Sequence, residues 1–308
     1  MELPAAPLAA CDAPEGGRAY WLKAADGQRL RLAHWPGERQ VLILPGRTEY
    51  IEKYGLVIRD LAAQGWGAMV IDWRGQGLAD RSNPDASMGD VARFSDFQLD
   101  LDAYLNAAAD LGASHAPWLA HSMGGCIALR GLIRGKTPPA VAFSGPMLGL
   151  NQPAYLTPAL RAMALVMRPL GLDKRYAPTT GPDFGLPGMA FEDNTLTSDR
   201  AQFDRMKAQI VADPRLALGG PSLRWMIEAL AEMEALAALP SPQIPALFGL
   251  GSDEEIVSQA AIRTRVANWP GAELAFFEGA RHELTMERPE VRDDFLARML
   301  TLFNEHAS

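Results

Sequence analysis

With 308 residues, 48% of them apolar and 21% charged, the chain has an ordinary globular composition and room for one large α/β domain carrying an insertion. A formal net charge of −8 excludes the clustered Lys and Arg face that nucleic acid requires and disfavours strong adsorption to anionic lipid. Two cysteines, Cys11 and Cys126, are too few for a disulfide framework and lack zinc-type spacing, which points to a reducing compartment.

The amino-terminal segment Leu8-Ala9-Ala10-Cys11 superficially resembles a lipoprotein cleavage site. It lacks a basic start and carries Pro4 and Pro7 where an apolar helical run should lie, so it is not read as a signal. No stretch approaches the ~18 apolar residues of a membrane span. The expectation is a soluble, cytoplasmic protein, with peripheral membrane contact the one variation considered.

Strand signals open with a hairpin: Tyr20-Trp21-Leu22, a turn at Ala25-Asp26-Gly27, then alternating Leu30, Leu32 and His34. Short continuous apolar runs follow, at Val41 to Leu44, Ala68 to Ile71, Trp118 to Ala120, Val141 to Phe143, Ala246 to Phe248 and Leu274 to Phe277. Runs apolar at every position fit strands covered on both faces, and hence a mostly parallel sheet of eight strands once the hairpin is counted. Helical periodicity occupies 53–63 and 97–109. Between 146 and 239 no strand pattern appears; helical stretches at 158–170, 199–211 and 222–239 are joined by Pro/Gly-rich loops. Such a block after the sixth strand reads as a cap (146–239) over the carboxyl edge of a core formed by 1–145 and 240–308, the edge where open α/β sheets bind ligands.

After the run ending at Ala120 comes His121-Ser122-Met123-Gly124-Gly125 and then a helix start. A strand, x-Ser-x-Gly and a helix form the context of a nucleophile elbow, whose turn is so tight that only Gly or Ala fits two residues either side of the serine; here these are Ala120 and Gly124. The elbow places Ser122 at a helix amino end, where the dipole favours a developing oxyanion. The chain order in this fold is Ser, acid, His. Of the five histidines, His282 and His306 follow the serine, and His306 lies at the frayed terminus. His282 sits in a glycine-bearing loop after the last strand and is the expected base. The acid belongs in the loop after Ala246 to Phe248, where Asp253, Glu254 and Glu255 stand consecutively and composition does not choose among them.

These segments together resemble the monoglyceride lipase and bacterial lysophospholipase branch of the α/β-hydrolases (serine aminopeptidase S33-type), over nearly the whole chain. Pro45-Gly46-Arg47-Thr48-Glu49-Tyr50 is similar to the family's His-Gly-x-x-Glu oxyanion loop, with Pro45 in place of His. Glu52-Lys53-Tyr54, Asp72-Trp73-Arg74-Gly75-Gln76-Gly77, the elbow, Ser144-Gly145-Pro146-Met147 and Gly279-Ala280-Arg281-His282-Glu283, with Glu287 following, continue the likeness. Aligned on Gly251 and Val257, the resemblance implies Glu254 as the acid, where the family usually carries Asp; a one-residue shift would make it Asp253.

The resemblance implies a serine hydrolase cleaving an apolar acyl ester of lysophospholipase or monoacylglycerol lipase type through an acyl-enzyme. The backbone N–H groups of Met123 and Arg47 would hold the oxyanion, and no metal or organic cofactor is called for. Expected partners are a small-molecule or lipid ester and transient membrane contact through the cap, with no nucleic acid. On 158–170, Met163, Val166, Met167 and Leu170 share a face that would suit an acyl tail, and Arg47 and Arg74 are candidates to meet a phosphate head group. Competing readings are a small-ester carboxylesterase, a non-catalytic binding protein on the same scaffold, and epoxide hydrolysis, haloalkane hydrolysis or carbon–carbon bond cleavage; epoxide and haloalkane hydrolysis normally place Asp at the elbow.

Overall fold

The computed structural model describes residues 3–153 and 155–307. One nine-stranded sheet runs through it, built from β1 (Ala5–Ala6), β2 (Arg18–Lys23), β3 (Arg29–Trp35), β4 (Arg39–Leu44), β5 (Trp66–Asp72), β6 (Trp118–His121), β7 (Val141–Ser144), β8 (Ala246–Gly251) and β9 (Ala272–Phe277). Their spatial order is β1-β2-β3-β5-β4-β6-β7-β8-β9. The β1 to β3 segment and its junction with β5 are antiparallel, and every pairing from β5 to β9 is parallel. The expected count of eight is exceeded by β1, two residues that pair Ala5 with Tyr20 and Ala6 with Ala19 at the sheet edge. A strand that short, beside Pro4 and Pro7, carries no period for a sequence pattern to reveal.

Strand alternation explains why the central runs are apolar throughout. Leu42 and Leu44 of β4 enter one core layer with Met69, Ile71, Leu101, Tyr104 and Ile127. Val41 and Ile43 enter the opposite layer with Val70, Val57, Leu61, Phe295 and Phe303. Helices α2 (Phe97–Asp110) and α3 (Met123–Ile133) cover the first face. Helices α1 (Gly55–Ala63) and α8 (Pro289–His306) cover the second. α8 was not anticipated; its charged surface hides the stripe Val291, Phe295, Met299 and Phe303 at helical spacing.

Between β7 and β8 the described residues form α4 (Leu156–Met167), α5 (Arg200–Ala212) and α6 (Leu223–Ala237), joined by short 3-10 turns. α5 and α6 begin with side-chain caps, Asp199 accepting from the Gln202 N–H and Ser222 from that of Trp225. α4 packs on α6, with Arg168 bridging to Glu228 at 2.8 Å. After β8, α7 (Gln259–Ala267) precedes β9. No helix among the described residues is long and apolar enough to cross a membrane.

Candidate active site

The strand-to-helix turn after β6 forces Ser122 into φ 49°, ψ −116°, a conformation that costs a non-glycine residue on the order of 1–3 kcal/mol. The surrounding contacts hold the turn in place. The Ser122 N–H donates to Ser144 O at 3.1 Å, and its carbonyl accepts from Met147 N–H at 2.8 Å. A Cβ at Gly124 would lie 2.0 Å from Leu44 O, so the helix can start this close to β4 only because that residue is glycine. At Gly46 a Cβ would stand 3.0 Å from Ser122 Cβ, which places the loop after β4 directly against the serine. Neither the Met123 nor the Arg47 amide N–H donates to a protein acceptor among the described residues, and Met123, first in its helix, has no intrahelical partner.

His282, buried in the loop after β9, has Nδ1 2.7 Å from Oε2 of Glu254. The other oxygen of Glu254 accepts the N–H groups of Ile256 and Val257 at 2.7 and 3.0 Å. Burial pushes this carboxyl up, but the imidazole and the two amide donors outweigh it, and the net displacement is downward. Asp253 is exposed and accepts from its neighbour Ser252, and Glu255 is exposed. The acid and histidine loops are tied together by Ser252 N–H to Phe277 O and Asp253 N–H to Ala280 O, both 2.9 Å. Ser122 and His282 line one cavity of about 610 Å³, and among the described residues no direct hydrogen bond joins them.

Beneath the cavity lies a buried charge network that sequence reasoning missed. Lys53 Nζ contacts a carboxylate oxygen of Glu49 and lies 2.6 Å from Glu283 Oε1. Glu49 also accepts from the Gly46 N–H and from Tyr54 Oη at 2.7 Å. His121 directs Nδ1 at Ser144 O (2.9 Å) and Nε2 toward Glu283 Oε2 (3.3 Å), an arrangement that favours the charged form of the ring. Burial works against that charge, yet Glu283 and Glu49 hold the His121 pKa above its ordinary value. Burial likewise opposes the Glu283 charge, and Lys53 and His121 nevertheless hold it well below the usual carboxylate range. All four residues occur in segments quoted above, but no spacing rule pairs positions as distant as 53 and 283. Glu49, His121 and Glu283 present one ligand atom each within 4.8 Å of one another; the Lys53 ammonium already supplies the cationic charge between the two carboxylates.

Two expectations are corrected. Arg74 is engaged by Asp100 at 2.7 Å and Asp26 at 2.7 Å, so it has no free valence for a head group. On α4, Met163 and Met167 pack against the core, while Val166, and Leu170 just beyond the helix, point outward at 66% and 67% exposure. The methionines that do line the cavity are Met147, Met189, Met206 and Met226.

A mostly parallel sheet with a strained serine at a strand–helix turn, and a His–acid pair on the last two strand-ending loops, defines an α/β-hydrolase. The chain belongs to the serine aminopeptidase S33 family of hydrolases, whose sequence pattern matches residues 36–289. It is 32% identical over 297 residues to lysophospholipase L2 of Escherichia coli K12, covering 91% of this chain and 84% of that one. A soluble variant of monoglyceride lipase from Saccharomyces cerevisiae superposes with a TM-score of 0.71 at 21% identity, covering 93% and 95% of the two chains. The monoacylglycerol lipase of Paleococcus ferrophilus superposes with a TM-score of 0.68 at 18% identity, covering 89% and 98%.

Proposed function

We propose that Ser122 is the nucleophile, His282 its general base, and Glu254 the acid that orients the histidine. The chain is a serine ester hydrolase of the lysophospholipase and monoglyceride lipase type. The observation that carries the assignment of residues is the Glu254–His282 hydrogen bond, formed on the wall of the same cavity that Ser122 lines. Donation from Nδ1–H to Glu254 leaves Nε2 as the unprotonated nitrogen, which is the lone pair a base needs. Ser122 Oγ attacks the ester carbonyl as His282 takes its proton. The tetrahedral oxyanion is received by the N–H groups of Met123 and Arg47, each worth about 3 kcal/mol when correctly aimed. The protonated His282 then gives its proton to the leaving alcohol. Water, activated by the same histidine, cleaves the acyl-enzyme.

Residues 146–239 act as the cap in this reading. Its contribution to the cavity is apolar and adaptable: Leu186, Met189, Met206, Leu218 and Met226 suit a flexible acyl chain better than the small acid of a short ester. The cap also meets the membrane surface where such esters reside. Tyr155, Leu165, Val166 and Leu170, on and beside α4, are 72%, 80%, 66% and 67% exposed, and with a net charge of −8 their insertion, rather than lipid charge, supplies the attraction.

A fluorophosphonate probe and a p-nitrophenyl ester series of rising chain length test the function. Labelling of Ser122 that disappears in Ser122→Ala, with turnover rising toward long chains, is expected. Folded protein that neither labels nor hydrolyses any ester would leave the scaffold without the proposed chemistry.

A further inference from the structure

Three buried cations are matched by carboxylates: Arg31 by Asp72 and Glu52, Arg74 by Asp100 and Asp26, Lys53 by Glu49 and Glu283. A fourth, Arg265, is held by the Leu236 and Leu239 carbonyls and Ser241 Oγ. Arg47, half-buried at the site itself, has neither kind of full pairing. Its guanidinium lines the cavity that contains Ser122, lies 5.1 Å over the ring of Trp225, and donates from Nη2 to Gly219 O at 2.7 Å. Its Nε is enclosed with no acceptor, and Nη1 makes no hydrogen bond among the described residues. No Asp or Glu side chain pairs with it among those residues, and burial alone pushes it down to about 10. The other carboxylates nearby, Glu49 and Glu283, are already engaged by Lys53; Asp183 lines the cavity without pairing to Arg47. An uncompensated cation enclosed in a binding cavity is costly unless a ligand brings the anion.

We propose that the Arg47 guanidinium receives the phosphodiester of a lysophospholipid, making Arg47 the residue that favours lysophospholipids over neutral monoacylglycerols. The inference rests on the assignment of Ser122 and of the Arg47 N–H as an oxyanion donor. Covalent reach supports it. The path from the Arg47 nitrogen to Cζ (N–Cα–Cβ–Cγ–Cδ–Nε–Cζ) has as many bonds as that from the acyl carbon of a lysophospholipid to its phosphorus (C–O–C1–C2–C3–O–P). A substrate whose carbonyl oxygen meets the backbone N–H can therefore run its glycerol alongside the side chain and bring its phosphate to the guanidinium. That group suits a phosphate's oxygens in pairs, which an ammonium does not.

The test compares kcat/KM for a 1-acyl-glycerophosphocholine and a 1-monoacylglycerol of identical acyl chain. In Arg47→Gln the ratio of the two should fall by about 10- to 100-fold, and Arg47→Lys should recover part of it. Circular dichroism and fluorophosphonate labelling establish that each variant is folded. A second measurement needs no variant: glycerophosphocholine should inhibit hydrolysis of a p-nitrophenyl ester by the unaltered protein at concentrations at least about 10-fold below those of glycerol. An unchanged ratio in Arg47→Gln, or equal inhibition by glycerol, overturns the inference and leaves the ester hydrolase standing. Inorganic phosphate competing as well as glycerophosphocholine would make this a site for a free anion and overturn the headgroup assignment. Failure of the unaltered protein to label or to cleave any ester would remove the functional reading, and this inference with it.

Discussion

His282 Nδ1 lies 2.7 Å from Glu254 Oε2, and the nearest alternative acid, Asp253, turns outward to Ser252. The turn at Ser252 and Asp253 leaves Asp253 exposed and Glu254 buried against the histidine. Glu254→Gln is expected to lower kcat on a p-nitrophenyl ester by about three to four powers of ten. Asp253→Asn should stay within a few-fold. Equal losses in the two variants would remove Glu254 from its role.

The strain at Ser122 has a measurable cost. Ser122→Gly should abolish turnover yet raise the stability seen in urea titration by about 1 kcal/mol, since glycine accepts φ 49°. Gly124→Ala, with a methyl placed 2.0 Å from Leu44 O, should instead destabilise or prevent folding. A Ser122→Gly protein less stable than the parent would contradict a strained elbow.

Glu283→Gln removes one carboxylate from the buried network and is expected to cost about 3–5 kcal/mol at its maximum. Glu283 has a depressed pKa in the folded state, so its contribution is present above its ordinary value of 4.5 and is lost as pH falls through the folded value. His121 has a raised one, so its share is complete below 6.5 and is lost as pH rises through the folded value. The stability gap between parent and variant should therefore be widest between about pH 4.5 and 6.5 and narrow on either side. A gap independent of pH, by urea titration across this range, would show that the network carries no such linkage.

The exposed apolar side chains of α4 give the membrane contact its own test. Leu165→Asp combined with Val166→Asp should reduce co-flotation with neutral phosphatidylcholine vesicles by about tenfold or more, given ~2 kcal/mol for burying such a side chain. Hydrolysis of a water-soluble short ester should be unaffected. Undiminished flotation would exclude this face as the contact.

Much of this protein was determined by local sequence. Continuous apolar runs specify strands buried on both faces, and where that pattern stops after β7 the chain forms the helices α4 to α6, because burial period follows directly from residue order. The turn at Ser122 is legible for the same reason: it is a single turn whose sterics act on neighbours in the chain, at Ala120 and Gly124. Tertiary structure alone decided which of three consecutive acids faces His282, that Arg74 is engaged while Arg47 is left without a counter-charge, and that Glu49, Lys53, His121 and Glu283 form one network. Electrostatic partnership depends on distances across folded space of a few ångströms, where the Coulomb energy is steep, and residues separated by up to 230 positions carry no record of it in their order.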